Sequence, residues 1–444
     1  MEEIPSTSGC RTAMSQHAGT RAQRHAALPL TVLAFSMIAV TLVALSSCSR
    51  SMIEPRRTSV LVIPLRMGLA KDNGASPWYG ELAIGGSSAT YGNSERQLFK
   101  FIMDTGTGST WVTSKECDTG PCRRHRRYDP QRSGTHVWID RQVRASELGP
   151  WGKFQYKVGQ DTWHFWAVNP QQGDQDQKLY SMPGMRFLEA VTLIDGQNQD
   201  GTANSNWDDL VQDGSLAFPS ENAGSPSTQV LDLLLQQGLL DQKLMSYWTS
   251  PELNRGEVIL GGFNERRYDP ASLRYYPVNR DITSVDNASE LWSVRLVDIR
   301  VGDAQVALPS AGAALALDTG SSRFKGDPDI IDDIVRLITD NGARPQHVQD
   351  PALLDAYPDL TIVLADEDGG RNDYTLSAGE YFQAFPDGWQ LAFHGLQPTE
   401  NSSTAGLLLA GSIFLDHYYA VFDYETNPVQ IGIADRVDPS SLIR

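Results

Sequence analysis

"FIMDTGTGSTWV", residues 101–112, is an apolar run that ends abruptly in Asp104-Thr105-Gly106. Residues 315–324, "LALDTGSSRF", say nearly the same again at Asp318-Thr319-Gly320. A strand that delivers a carboxylate to a tight glycine turn leaves that carboxylate poorly hydrated and rigidly aimed. One such turn is common, but two, at positions 104 and 318, suggest a matched pair.

The 444 residues allow two lobes of roughly 150 to 200 residues, each with its own core. Hydrophobic content of 40% and a mean hydropathy of −0.33 describe a soluble globular body. The N-terminus departs from it. Residues 26–45, "AALPLTVLAFSMIAVTLVAL", carry no charge and follow Arg11, Arg21 and Arg24, which reads as a signal peptide or signal anchor. "LSSC", residues 45–48, resembles a bacterial lipoprotein processing box, so a lipidated Cys48 is an alternative anchor to the apolar run itself. In each case the body is expected outside the cytosol: secreted, in the secretory pathway, or membrane-anchored and facing outward.

Four arginines and two acids lie in residues 1–50, leaving 33 basic against 52 acidic residues in the remainder. That balance argues against nucleic-acid binding and suits work at low pH. Cys10 and Cys48 belong to the N-terminal segment. Cys117 and Cys122, separated by four residues in an exported body, are expected to form a small loop disulfide; a metal site would need more ligands than stand nearby, and no metal or cofactor is expected.

"SVLVIPLRM", residues 59–67, reads as a strand, "AKDNGASP" as a linker, and "WYGELAIGG" as the next strand. From there to about Tyr276, short strands alternate with Gly, Pro, Asn and Asp turns, so the architecture is mainly β. Two helices are signalled. In "SPSTQVLDLLLQQG" Ser227 reads as the N-cap, Val230, Leu231, Leu234 and Leu235 as the apolar face, and Gly238 as the stop. In "DPDIIDDIVRLITDNG" Asp327 caps, Pro328 takes the first helical position, Ile330, Ile331, Ile334, Val335 and Ile338 form the face, and Gly342 ends it.

Two carboxylates held about 3 Å apart with a water between them cannot comfortably both ionise, so they share a proton. The ionised member takes a proton from the water; the protonated member polarises a carbonyl and stabilises the oxyanion. Such a device cleaves an amide with neither metal nor covalent intermediate. Gly106 and Gly320 allow close approach, Thr105 and Thr319 can hydrogen-bond across the interface, and Thr107 and Ser321 can reach the outer carboxylate oxygens.

With these motifs the chain resembles the pepsin family of aspartic proteases, from Tyr79 to Ala434. "DGSLAFP", "QQGLLDQKLMSYW", "GEVILGGFNERRYDPASLRYYPV", "ELWSVRLVDIRVGD" and "LLLAGSIFLDHYYAVFDYETNPVQIGIA" follow in the family's order, Cys117-x4-Cys122 matches its small loop disulfide, and Trp111 its tryptophan after the first motif. The resemblance implies two β-rich lobes, 79–282 and 283–444, after a leader (1–48) and a short prosegment-like stretch (49–78), with a cleft for an extended polypeptide substrate and a few short helices. It implies catalysis by Asp104 and Asp318, supported by Thr105, Thr107, Thr319 and Ser321. Substrate contact is implied for Gly106, Gly320 and Ser322, and Trp111 and Trp292 would line or support apolar pockets. A monomer is expected.

Several stretches depart from the family pattern. "WGKFQYKVGQDT", residues 151–162, places Trp151-Gly152 where the flap hairpin normally carries Tyr-Gly, and Ala217 replaces a glycine whose C-terminal counterpart, Gly411, is intact. Only residues 68–78 separate the prosegment-like strand from the body, leaving Lys71 either to bridge the dyad or to be a solvated charge. "RRHRR", residues 123–127, reads as a solvated basic loop, and Asn287 and Asn401 begin glycosylation sequons. The function implied is an aspartic endopeptidase working at acidic pH; the alternative is a catalytically silent pepsin-like protein that holds peptides in its cleft.

Overall fold

The computed structural model describes residues 59–87, 96–147, 152–169, 177–196, 206–222, 224–280, 288–396 and 403–437. The leader, Cys48, Trp151, Asn287 and Asn401 lie outside the described residues. No helix among the described residues is long and apolar enough to cross a membrane.

The same four-strand motif is built twice. In the N-terminal half, Gln97–Asp104 turns Phe99, Phe101 and Met103 inward at the two-residue period of a strand. It pairs in parallel with Gly214–Ala217, which pairs antiparallel with Trp111–Thr113, which in turn runs parallel to the middle of Lys178–Asp195. In the C-terminal half, Ala313–Leu317 is buried on both faces, as its uninterrupted apolar sequence requires. It pairs in parallel with Leu407–Ala410, which pairs antiparallel with Phe324–Gly326, itself parallel to Phe393–Gly395. Each aspartate therefore leaves a strand that has a parallel neighbour, and the chain loops back to sit on that neighbour's other side. The result is the bilobal, β-rich pepsin-like fold.

Gly152–Ala167 is paired along its length with Lys178–Asp195 and on its other edge, antiparallel, with Val137–Glu147. Gly152 opens the return strand at φ 120°, and a Cβ there would stand 2.2 Å from the Ile194 carbonyl oxygen, so a glycine is required at that rung. Cys117 and Cys122 form a disulfide with their Cα atoms 5.8 Å apart. In the basic run beside it the four arginines are exposed, as a solvated loop would have them, and only His125 turns inward. His125 is buried against the Trp207 carbonyl at 2.8 Å, Arg126 and Arg127 donate to the carbonyls of Leu98 and Cys117, and Arg124 pairs with Asp208.

Helix α1, Val230–Gln236, starts at Gln229 rather than at Ser227. The Ser227 hydroxyl is already used, accepting from the Thr110 N–H and bonding the Ser225 hydroxyl, so it is unavailable as a cap. Gly238 follows the helix at φ 68°, as a stop should. In α2, Pro328–Ile338, Asp327 caps through the Asp329 N–H and Ile330, Ile331, Ile334 and Ile338 are buried.

The two halves are joined through one sheet, in which Arg274–Pro277, Gln430–Asp435, Tyr418–Asp423, Leu244–Ser250, Arg255–Leu260 and Leu61–Met67 lie in that order. The prosegment-like strand is thus an integral member, registered Leu61↔Leu260 to Leu65↔Gly256 and continuing onto Trp78–Ile84. Lys71 lies 3.7 Å from Asp209 at the surface and does not bridge the dyad. Across this junction Asp416 is buried, receiving hydrogen bonds from the Trp78 indole N–H at 2.9 Å and the Thr249 hydroxyl at 2.5 Å. Burial pushes its pKa up to about 7, against the pull of those two donors and of Arg436.

A carboxyl whose folded pKa lies above its unfolded value binds its proton more tightly when folded, so its contribution is complete below the unfolded pKa of about 4 and is lost as pH rises toward 7. The melting temperature should therefore fall between pH 4 and pH 7.5. Asp416→Asn, which keeps an acceptor and cannot ionise, should flatten that fall by an amount corresponding to a few kcal/mol. Melting curves across this range check it; identical pH dependence in the two proteins would show that Asp416 is not a buried acid.

Candidate active site

Both Asp-Thr-Gly turns leave the ends of their strands facing one another. A Cβ on Gly106 would stand 2.4 Å from Asp318 Oδ1, and one on Gly320 would stand 2.5 Å from Asp104 Oδ1. Each glycine is therefore pressed against the opposite aspartate, and even a methyl group at either position would displace a carboxylate.

The threonines lock this arrangement. The Thr105 N–H donates to Thr319 Oγ1 and the Thr319 N–H to Thr105 Oγ1, each at 3.0 Å, while the two hydroxyls donate onward to the carbonyls of Leu317 (2.9 Å) and Met103 (2.5 Å). Each hydroxyl accepts from one backbone and donates to the residue just before the opposite aspartate. Both threonines are fully buried, so the exchange is screened from water.

Around each carboxylate the donors are matched in kind. Asp104 receives the Gly106 N–H at 2.9 Å and the Ser215 hydroxyl at 3.1 Å; Asp318 receives the Gly320 N–H at 2.9 Å and the Ser321 hydroxyl at 2.6 Å. Thr107 makes no hydrogen bond to Asp104. Ser215 takes that place because the parallel register of Gly214–Ala217 against Gln97–Asp104 brings its hydroxyl to the carboxylate from within the sheet. Asp104 is pushed up to about 7, first by burial and then by the charge of Asp318, while the Gly106 N–H, Ser215 and the Lys325 ammonium pull the other way.

The segment Gly74–Ser76 runs along the second turn, with the Ser322 N–H donating to the Gly74 carbonyl at 3.0 Å and the Ser76 N–H to the Gly320 carbonyl at 2.8 Å. Ser322 is therefore committed: its N–H is used and its side chain is completely buried, which removes it from substrate contact. Trp292 is likewise in the interior. Its indole N–H donates to the Phe218 carbonyl at 2.8 Å and its ring packs edge-on against Phe422 and Tyr424, so it supports the fold behind the cleft and lines nothing. Trp111 packs 5.9 Å from Phe154 and, edge-on, 5.6 Å from Trp207.

Ser215, Lys325, Phe154 and Trp207 are site residues that motif reading did not single out. Ser215 interrupts a short apolar strand, the one signal available, but its target depends on register. Lys325 looks like an ordinary surface charge until the fold buries it.

A family model described as eukaryotic aspartyl protease matches residues 80–160 and 192–435. Among curated proteins, cathepsin E of Mus musculus is 29% identical over 371 residues, covering 81% of this chain and 80% of its own length. Pregnancy-associated glycoprotein of Equus caballus is 26% identical over 344 residues (77% and 78%), and gastricsin of Mus musculus is 25% identical over 365 residues (81% and 81%). The matched stretches contain both interlocked turns and the strands that deliver them, and the chain belongs to the eukaryotic aspartyl protease family.

Proposed function

We propose that the protein is an active aspartic endopeptidase that cleaves extended polypeptides at acidic pH with a water activated by Asp104 and Asp318. The observation that carries this reading is the cross-lobe exchange of Thr105 and Thr319, which aims two whole Asp-Thr-Gly turns at one point. A water held there loses a proton to the ionised carboxylate and attacks the scissile carbonyl, while the protonated carboxyl donates to the developing oxyanion and later the leaving nitrogen is protonated. Main-chain groups of Gly106 and Gly320 lie beside the carboxylates, where an extended substrate would pass. By the match of their sequence to the family's flap, Trp151 and Gly152 are assigned to the flap, Gly152 opening the strand that carries Phe154. The apolar run 26–45 and the oxidised Cys117–Cys122 pair support work outside the cytosol, by a monomer that is secreted or held to a membrane through that run or a lipidated Cys48.

Asp104→Asn and Asp318→Asn should each lower kcat/KM on unstructured peptides by about three orders of magnitude while leaving the melting temperature near that of the wild type. Wild-type cleavage should peak below pH 6, be blocked by pepstatin and survive a chelator. Peptide binding without cleavage at any pH would favour the silent binding protein instead. A second expectation concerns the lock. Thr319→Val leaves the Thr105 N–H and the Met103 carbonyl buried without partners, costing about 2–3 kcal/mol, and kcat should fall as the two turns lose alignment. Denaturant melts with parallel kinetics check this, and unchanged stability in Thr319→Val would remove the threonines from the argument.

A further inference from the structure

The two carboxylates share a symmetric frame, yet among the described residues only the serine that donates to Asp318 is itself hydrogen-bonded by a cation. Lys325 lies on Phe324–Gly326 and is 8% exposed. Its ammonium donates to the Gly74 carbonyl at 2.7 Å and to Ser321 Oγ at 3.1 Å, and Ser321 in turn donates to Asp318 Oδ2 at 2.6 Å. By filling an acceptor site of the hydroxyl, the ammonium directs the hydroxyl proton at Asp318. The room for it is made by Gly74, at φ 74°, where a Cβ would stand 3.0 Å from Lys325 Cε. On the Asp104 side the equivalent donor, Ser215, receives no hydrogen bond from a cation among the described residues.

The charges around Lys325 leave its own uncompensated. Arg323, on the same turn, is paired with Asp72 of the adjacent segment. His394 stands opposite Lys325 in the parallel pairing with Phe393–Gly395, and its pKa is lowered by burial and by the charges of Lys325 and Arg323. In α2, Asp327 and Asp333 are occupied with backbone N–H groups and Arg336, and Leu407–Ala410 carries no charge. Glu290, beyond Gly108 on the first turn, is raised by burial. Burial lowers the Lys325 pKa to about 8, so at acidic pH the ammonium is charged, and the acids whose charges act on it are those of the dyad, Asp318 and Asp104.

We propose that Lys325 is a positioning residue that, through Ser321, keeps Asp318 as the ionised member of the dyad and leaves the shared proton on Asp104. Asp318 then takes the proton from the attacking water, and Asp104 donates to the carbonyl oxygen. The inference rests on the endopeptidase reading for its kinetic consequence but not for the proton's location. Because a fixed cation favours the ionised form, it also lowers both proton steps of the pair; its removal must raise both.

The test uses the full chain with 13C-labelled aspartate carboxyls, as wild type, Lys325→Met and Lys325→Arg, with Asp104→Asn and Asp318→Asn to assign the two resonances. At pH 5 the wild-type Asp104 carboxyl should give the protonated shift and Asp318 the ionised one. In Lys325→Met the proton should redistribute toward Asp318, and both limbs of the kcat/KM profile should move up by about one pH unit, with Lys325→Arg restoring the wild-type profile. A proton resting on Asp318 in the wild type, or a Lys325→Met profile superimposable on the wild type, would overturn the proposal. If Lys325→Met loses its cooperative melt, the wild-type titration decides alone. If the wild type cleaves no peptide at any pH, the endopeptidase reading fails while the carboxyl shifts still decide where the proton sits.

Discussion

Two threonine hydroxyls, each accepting from one backbone and donating to another, are the constraint on which this molecule turns. A hydroxyl is suited to the task because it offers a donor and acceptor sites on one small atom; a carboxylate only accepts and an ammonium only donates. Once Thr105 and Thr319 are exchanged, Met103 and Leu317 are brought to hydrogen-bonding distance of the opposite lobe and the aspartates between them lose their freedom to diverge. The strand order in both halves can be understood as the means of delivering two rigid turns to this exchange. It also explains the glycines, since the closeness that the threonines impose leaves no volume for a side chain at 106 or 320.

What could be read from the sequence was what repeats or punctuates. The paired turns, the capped helix at Asp327–Pro328 and the alternation of Phe99, Phe101 and Met103 each follow from local chemistry with a fixed spacing. What could not be read depends on depth or register. Trp292 sits next to a strand in a segment that resembles a pocket wall, but depth is a property of the packed lobe, and the ring is enclosed by Phe422 and Tyr424. Ser227 is a good cap by type, yet tertiary contact with Thr110 claims its hydroxyl first. Lys71 and Lys325 show the same limit from opposite sides: the lysine that follows the prosegment-like strand is at the surface beside Asp209, and the one on the short strand after the second turn is buried behind the dyad.

Burial serves two ends at once in the acids of this chain. Asp104 and Asp416 are both pushed up to about 7 by loss of hydration, one at the chemistry and one at the junction of the halves. Glu189 and Asp213 are raised for the same reason. A chain with 54 acidic residues against 37 basic ones gains from protons at these sites, because neutralising buried carboxyls removes desolvation cost while the exposed acids keep the surface hydrated. The conditions that put one proton on the dyad are thus those in which the junction is best held.

Duplication of a motif would by itself yield two equivalent aspartates, and equivalent aspartates would make poor use of one proton. Water activation needs one base and one acid, so the symmetry imposed by the threonine exchange has to be broken elsewhere. The difference cannot lie in Asp-Thr-Gly itself, where each carboxylate receives the same backbone N–H at the same 2.9 Å. It lies in the residues that the two halves do not share. Ser215 rises from a neighbouring strand whose next residue but one, Ala217, stands where the other half has Gly411. Ser321 belongs to its own turn and is backed by Lys325, with Gly74–Ser76 bridging from the N-terminal segment to hold that turn in place. The divergent surroundings of the two turns therefore carry the chemical distinction that the geometry they share cannot supply.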